Sequence, residues 1–182
     1  MPNNSTYIAL LRGINVGGHH KVPMAELREA MEQQGFTKII TLLNTGNIIF
    51  DASVNETDQL EIEIADVLQS TFGFPIPVLI RKKAMLLDLV QSEPFKEIAM
   101  TKDIRLYISF LKKKPEMEIE TPWVSVDGSF RILEVRDRAI ISVLDISITK
   151  TPQGMEALER LFGKDTTTRN WNTILRIAGK LD

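Results

Sequence analysis

The chain has no cysteine. That excludes disulfides, thiolate metal sites and cysteine nucleophiles, and it suits a reducing compartment. Histidine is nearly as scarce: two among 182 residues, adjacent at His19 and His20. Neighbours in an extended stretch point to opposite sides, and no third imidazole exists, so a transition-metal site has no support. Positive charge is not in excess. Lys and Arg number 22 against 24 Asp and Glu, giving a net charge of −2 and a pI near 5.8. A dedicated duplex binder is usually basic, so whole-surface nucleic-acid binding is disfavoured, though a local basic patch is allowed. No apolar run approaches the ~18 residues of a membrane span. The opening residues Met-Pro-Asn-Asn-Ser are polar, with no basic start and no apolar run of signal-peptide length. The expected location is the cytoplasm, with no membrane partner. Neither a nucleophile elbow nor a paired-carboxylate site is found.

What is present is ordinary globular material, 43% hydrophobic and 25% charged. Tyr7 to Leu11 reads as a buried strand. Pro23 suits the first turn of a helix. Met24, Leu27 and Met31 then lie on one helical face, and Gly35 closes it with Phe36 packing back. Thr37 to Leu43 and Ile48 to Phe50 form a hairpin around the turn Asn44-Thr-Gly-Asn47. Asn55 is placed to cap a helix whose stripe is Leu60, Ile64, Val67, Leu68 and Phe72, stopped at Gly73. Ile76 to Ile80 is a fourth strand, and Pro75 and Pro77 suit an edge position. Strand, helix, strand, strand, helix, strand is the split βαβ order of a ferredoxin-like sandwich.

Beyond it, the pattern predicts a helix over 83–91 and a strand over 104–111. A proline-bracketed loop over 112–122 follows, then a hairpin from Phe130 to Val135 and Ala139 to Leu144. Helices are expected over 153–162 and 169–179. The fold class is therefore α+β: a ferredoxin-like βαββαβ subdomain over residues 1–82, then a smaller α+β subdomain with C-terminal helices over residues 83–182.

Chemistry concentrates in two stretches. The first is the loop Arg12-Gly-Ile-Asn-Val-Gly-Gly-His-His-Lys21. Such connections usually run about two to six residues, and longer ordered ones tend to carry function. Gly17 and Gly18 free the backbone N–H groups to face one point, Asn15 adds an amide, and Arg12 and Lys21 add charge beside a helix N-terminus. The spacing meets neither the P-loop nor the dinucleotide fingerprint. The alternative is a long turn whose glycines only satisfy left-handed backbone, with Arg12 in a salt bridge. The second stretch is Thr166-Thr-Thr-Arg-Asn-Trp-Asn172. A threonine there, Thr168, is expected to cap the last helix, with Arg169, Asn170 and Asn172 in its first turn. An arginine in that position runs against the helix dipole, which an anion relieves. The alternative is a cap followed by a core tryptophan. Asn47 belongs to the hairpin turn, offering an amide beside the first loop or simply closing the turn. Arg81-Lys-Lys83 and Lys112-Lys-Lys114 read as solvated faces or edge protection.

Ala9-Leu-Leu-Arg-Gly-Ile-Asn-Val-Gly-Gly-His19, followed by Lys21-Val-Pro-Met-Ala-Glu-Leu27, resembles the opening of the domain of unknown function 1697 (DUF1697) family. Leu43-Asn-Thr-Gly-Asn-Ile-Ile-Phe50 is similar to its Ser-Gly-Asn hairpin, with Thr45 in place of serine. Thr167-Thr-Arg-Asn-Trp-Asn-Thr173 resembles its closing motif. The resemblance extends over essentially the whole chain. It implies an α+β protein of two subdomains, the first ferredoxin-like, and it implies no activity. Members often carry a Gly-rich stretch with Ser/Thr-Lys-Leu after the last strand. Here Leu144-Asp-Ile-Ser-Ile-Thr-Lys150 has no glycine and leaves Lys150 as the cation of that region.

Three functions follow as expectations. One is binding of a small phosphate- or carboxylate-bearing ligand such as a nucleotide. Arg12, Asn15, Gly17, Gly18, Lys21 and Asn47 would form one wall and Arg169, Asn170 and Asn172 another. A second is an enzyme acting on a phosphorylated small molecule, with a histidine acid or base. A third is an RNA-binding module using an open sheet face, for which the strands offer little beyond Tyr7 and Phe50. No cofactor, metal or oligomeric state follows from these residues.

Overall fold

The structure, a computed structural model, describes residues 3–53 and 55–181. The chain forms two compact units, Met1–Gln91 with Arg176–Asp182, and Ser92–Leu175. The sequence reading divides the chain at residues 82 and 83, before the helix that the structure groups with the first unit.

In the first unit the order is β1 (Asn4–Leu11), α1 (Met24–Gln33), β2 (Thr37–Leu42), β3 (Asn47–Ser53), α2 (Thr57–Phe72), β4 (Val78–Lys82) and α3 (Lys83–Gln91). The sheet runs β2-β3-β1-β4, antiparallel throughout, which is the ferredoxin-like arrangement. Alternate strand residues Tyr7, Ala9, Leu11, Ile48, Phe50 and Ile80 meet the helical stripes Leu27–Met31 and Leu60–Ile64–Leu68 in one core. Phe36 sets its edge on Phe50, with ring centroids 5.3 Å apart. Each such fully buried large apolar side chain contributes about 1.5–3 kcal/mol. Gly35 and Gly73 follow their helices at positive φ, as C-terminal caps require. Asn55 is not the cap of α2. Glu56 holds that position: Asn55 Oδ1 accepts from the Glu56 N–H at 2.8 Å, and the Tyr7 hydroxyl donates to Asn55 O and accepts from Asn55 N, each at 3.2 Å.

The other face of this sheet is not open. Ile8, Leu10, Ile49, Leu79 and Arg81 are buried, and α3 packs on β1 and β4. The solvated-face reading of Arg81 is corrected with it, and the edge-protection one is kept: the side chain is 3% exposed, as is its partner Glu61, 3.7 Å away. Glu61 Oε1 accepts from the Ile80 N–H at 2.9 Å, and Arg81 Nη1 donates to the Ile80 carbonyl at 2.8 Å. The pair thus satisfies both outward-facing backbone groups of Ile80 on an edge strand, and so blunts that edge. At the end of the unit, Lys83 Nζ donates to the Leu181 carbonyl.

The second unit holds β5 (Ile104–Leu111), β6 (Trp123–Val124), β7 (Phe130–Arg136), β8 (Ala139–Asp145), α4 (Thr151–Phe162), β9 (Thr166–Asn170) and the start of α5 (Trp171–Ala178). Its antiparallel sheet runs β6-β7-β8-β5-β9. Leu111, Phe130, Ile132, Ile140, Leu144 and Leu158 form the core under α4. Helix and sheet are close at Gly154, where an added Cβ would stand 2.6 Å from a Leu144 methyl.

Two corrections belong here. β6 is a strand that the sequence reading missed. The last helix begins at Trp171, not Arg169, because Thr166-Thr-Thr-Arg-Asn170 pairs with β5 in the register Leu111↔Thr166 to Tyr107↔Asn170. A run of β-branched threonines favours that pleated edge. Thr168 therefore lies in mid-strand, its hydroxyl 2.7 Å from that of Ser109. Among the described residues no helix is long and apolar enough to cross a membrane.

Candidate functional site

The first loop is a small hairpin standing on a polar brace. Val16 and His19 bridge, the His19 N–H donating to Val16 O at 3.1 Å. Gly17 and Gly18 between them sit at φ 59° and 77°, the pair of positive values that two-residue hairpin turns prefer. Asn15 holds the base. Its Nδ2 donates to Val22 O (3.0 Å) and Asn44 O (2.6 Å), and its Oδ1 accepts from Val22 N (2.8 Å). The structure thus brings the loop against the β2–β3 turn, as the sequence suggested, but through an amide engaged on both sides. Arg12 is half-buried at the base, its own N–H donating to Pro77 O at 3.1 Å. Gly17, Gly18, His19 and Lys21 are exposed. His20 stacks on Phe74, centroids 4.4 Å apart, with Nδ1 3.3 Å from Gly13 O.

Asn47 also faces inward. It is fully buried, and its Nδ2 donates to Leu42 O at 3.0 Å and Thr45 Oγ1 at 3.1 Å. Beside it the Gly46 carbonyl accepts from Leu11 N at 2.8 Å. A Cβ at Gly46 would lie 2.5 Å from that of Leu11. Side chains at 15 and 47 hold the turn together, and glycine at 46 lets it approach β1.

In the second unit the polar residues are arranged differently. Asn170 is the cap of α5: its Oδ1 accepts from Thr173 N at 2.9 Å and from the Thr173 hydroxyl at 3.0 Å. Asn172 lies exposed in the first turn. Both line a cavity of about 370 Å³ together with Lys102, Arg105, Leu106 and Trp171. No carboxylate lines it. The β5–β9 pairing creates this grouping, since Tyr107 opposite Asn170 sets residues 104–106 beside the start of the helix. Arg105 Nη1 donates to the carbonyls of Lys102 (2.7 Å) and Ile104 (3.1 Å), which fixes the guanidinium at the wall. Trp171 packs edge-on against Phe95, centroids 5.2 Å apart.

Arg169 is not part of that lining. Its Nη1 donates to Thr167 Oγ1 at 2.8 Å and Thr168 O at 3.1 Å, and burial lowers its pKa to about 10. It stays charged at neutral pH. Arg12, Asn15, Gly17, Gly18, Lys21 and Asn47 thus gather in the first unit, and Asn170 and Asn172 at one cavity in the second. Lys102 and Arg105 were missed in the sequence, where they read only as the approach to a strand. Neither histidine lines this cavity, and no group of three or more His, Cys, Asp or Glu able to hold a metal occurs among the described residues.

The matches to known proteins now bear on this geometry. A family described as "Protein of unknown function (DUF1697)" matches residues 5–140. The chain belongs to this family. The DUF1697 match includes the first loop and the β2–β3 turn, and ends before the Thr-Arg-Asn-Trp segment. None of the curated proteins matches the chain. Among solved structures, the conserved bacterial protein SP0830 from Streptococcus pneumoniae is similar over 99% of this chain and 100% of its own. The TM-score is 0.72 at 22% sequence identity. At that identity the likeness speaks for a shared fold.

Proposed function

We propose that this DUF1697 protein binds a small anionic ligand, bearing phosphate or carboxylate, in the second-unit cavity at the start of α5. The observation that carries the reading is the lining itself: Lys102 and Arg105 as cations, Asn170 and Asn172 as amides, and no acid among them. A guanidinium with planar, paired donors suits a phosphate or carboxylate, and the first free N–H groups of α5 add to the positive potential. Leu106 and Trp171 give the cavity an apolar side, so a ligand with a flat or apolar portion beside its anionic group, such as a nucleotide, matches both surfaces.

A second reading keeps the first loop as an anion contact of its own. Its support is the exposed tip, where Gly17, Gly18, His19 and Lys21 stand on a braced base. The enzyme and RNA readings gain no comparable support, with both imidazoles exposed and the second sheet face of the first unit buried. The reading assigns the protein to the cytoplasm, in keeping with a cysteine-free chain.

The test is a thermal-shift panel of phosphate, pyrophosphate, mononucleotides and sugar phosphates on the parent and on Arg105→Ala. A ligand at a hundredfold its Kd adds about 2.7 kcal/mol, which raises Tm by roughly 5–10 °C at this size. The expected result is a shift in the parent that the variant loses. A panel without any shift counts against the reading.

A further inference from the structure

A separate cavity in the second unit, of about 480 Å³, lies between the β6–β7 turn and α4. Its walls are mainly apolar: Trp123, Val126 and Phe130 on the hairpin side, Ala157 and Leu161 on the helix side. Ala157, Arg160 and Leu161 fall at helical spacing, so one face of α4 presents them together. The volume is in the usual range of small-molecule sites, roughly 300–1,000 Å³. Val126, at the lip, is fully exposed, as few large apolar residues of the chain are.

The charges at the rim are of unequal standing. Asp127 is committed to its own turn: its Oδ1 accepts from Ser125 Oγ (2.7 Å), Ser129 N (3.0 Å) and Ser129 Oγ (2.7 Å). Those bonds hold its pKa down at about 2. Arg160 is exposed in the last turn of α4 and is the one cation of the lining; the one acid, Asp127, has its Oδ1 bound within its own turn.

We propose that this cavity takes an amphipathic carboxylate, its aliphatic or aromatic body between the hairpin and α4 and its carboxylate on Arg160. The apolar body is drawn in by area removed from water, and the planar guanidinium fixes the anionic end with paired donors. A neutral molecule of equal size would gain the first term only.

The test uses octanoate and 1-octanol as probes on the intact protein, read by tryptophan emission and calorimetry. Octanoate is expected to give a saturable change in emission that Trp123→Phe removes. Arg160→Gln should weaken octanoate by about ten-fold or more and leave 1-octanol unchanged. Ala157→Phe, which fills the cavity, should abolish both. Arg160 is exposed, so its variant should keep the parent Tm and decides the matter even where Ala157→Phe folds poorly. No saturable octanoate binding, or equal octanoate affinity in parent and Arg160→Gln, overturns the proposal.

Discussion

In the loop after β1 and the β2–β3 turn beside it the amides face the protein; beside α5 they face a cavity. Asn15 and Asn47 give their side-chain groups to backbone partners, and what remains exposed is a glycine tip with His19 and Lys21. At the start of α5, Asn170 uses one oxygen as a cap while Asn172 shares the cavity lining with Lys102 and Arg105. The two stretches are alike in residue types, with arginine, asparagine and the neighbourhood of a helix N-terminus in both. They differ in curvature. A convex tip leaves water on all sides of a bound anion, whereas a concave wall excludes some of it and strengthens each charge–charge term. Donor-rich sequence thus marks both architecture and candidate binding, and the direction of the side chain separates them.

Substitutions at the two stretches should differ most in stability. Gly46→Ala forces a Cβ within 2.5 Å of Leu11 at a φ of 85°. Overpacking and left-handed backbone together should cost about 3 kcal/mol or more, read as a lowered urea midpoint with unchanged slope. Asn15→Ala comes next. Loss of three hydrogen bonds, one of them to the N–H of buried Val22, should cost about 2–3 kcal/mol in the same melt. Asn172→Ala is the counterpart in the cavity. It should change stability by less than about 0.5 kcal/mol and lower anion affinity in titration. A destabilisation equal to that of Asn15→Ala would erase the contrast.

The smallest expected effect concerns Asp127, another polar side chain engaged by its own turn. Its bonds to Ser129 and Ser125 lower the pKa from 3.8 to about 2. A carboxylate held below its ordinary value stabilises the fold above that value, and the contribution fades as pH falls from 3.8 through about 2. Thermal melts across that window should show the parent losing more stability than Asp127→Asn. Parallel curves would mean that the turn does not depend on the ionised group.

The order of elements in the first unit was legible because each carries local punctuation. Pro23, Gly35 and Gly73 bound helices, and Asn44 to Asn47 turns a hairpin. β9 was not, since a threonine run before an asparagine reads equally as a cap, and its pairing partner β5 lies more than 50 residues earlier. For the same reason Lys102 and Arg105 gave no local sign of a cavity. Only the pairing of Tyr107 with Asn170 sets them beside α5. The burial of Arg81 also escaped notice, because a basic residue in an edge strand looks solvated until α2 delivers Glu61 to the same edge. Asn15 was visible as a polar loop residue, but its engagement with Val22 and Asn44 is a matter of three-dimensional closure.

The most direct test is a titration of the isotope-labelled protein with pyrophosphate, followed through backbone amide and tryptophan indole resonances. Saturable shifts are expected at residues 101–106 and 170–172, including the Trp171 indole, that disappear in Arg105→Ala and persist in Arg12→Ala. Shifts centred on Gly17 and Gly18 that are lost in Arg12→Ala, or no saturable shift at all, would contradict this expectation.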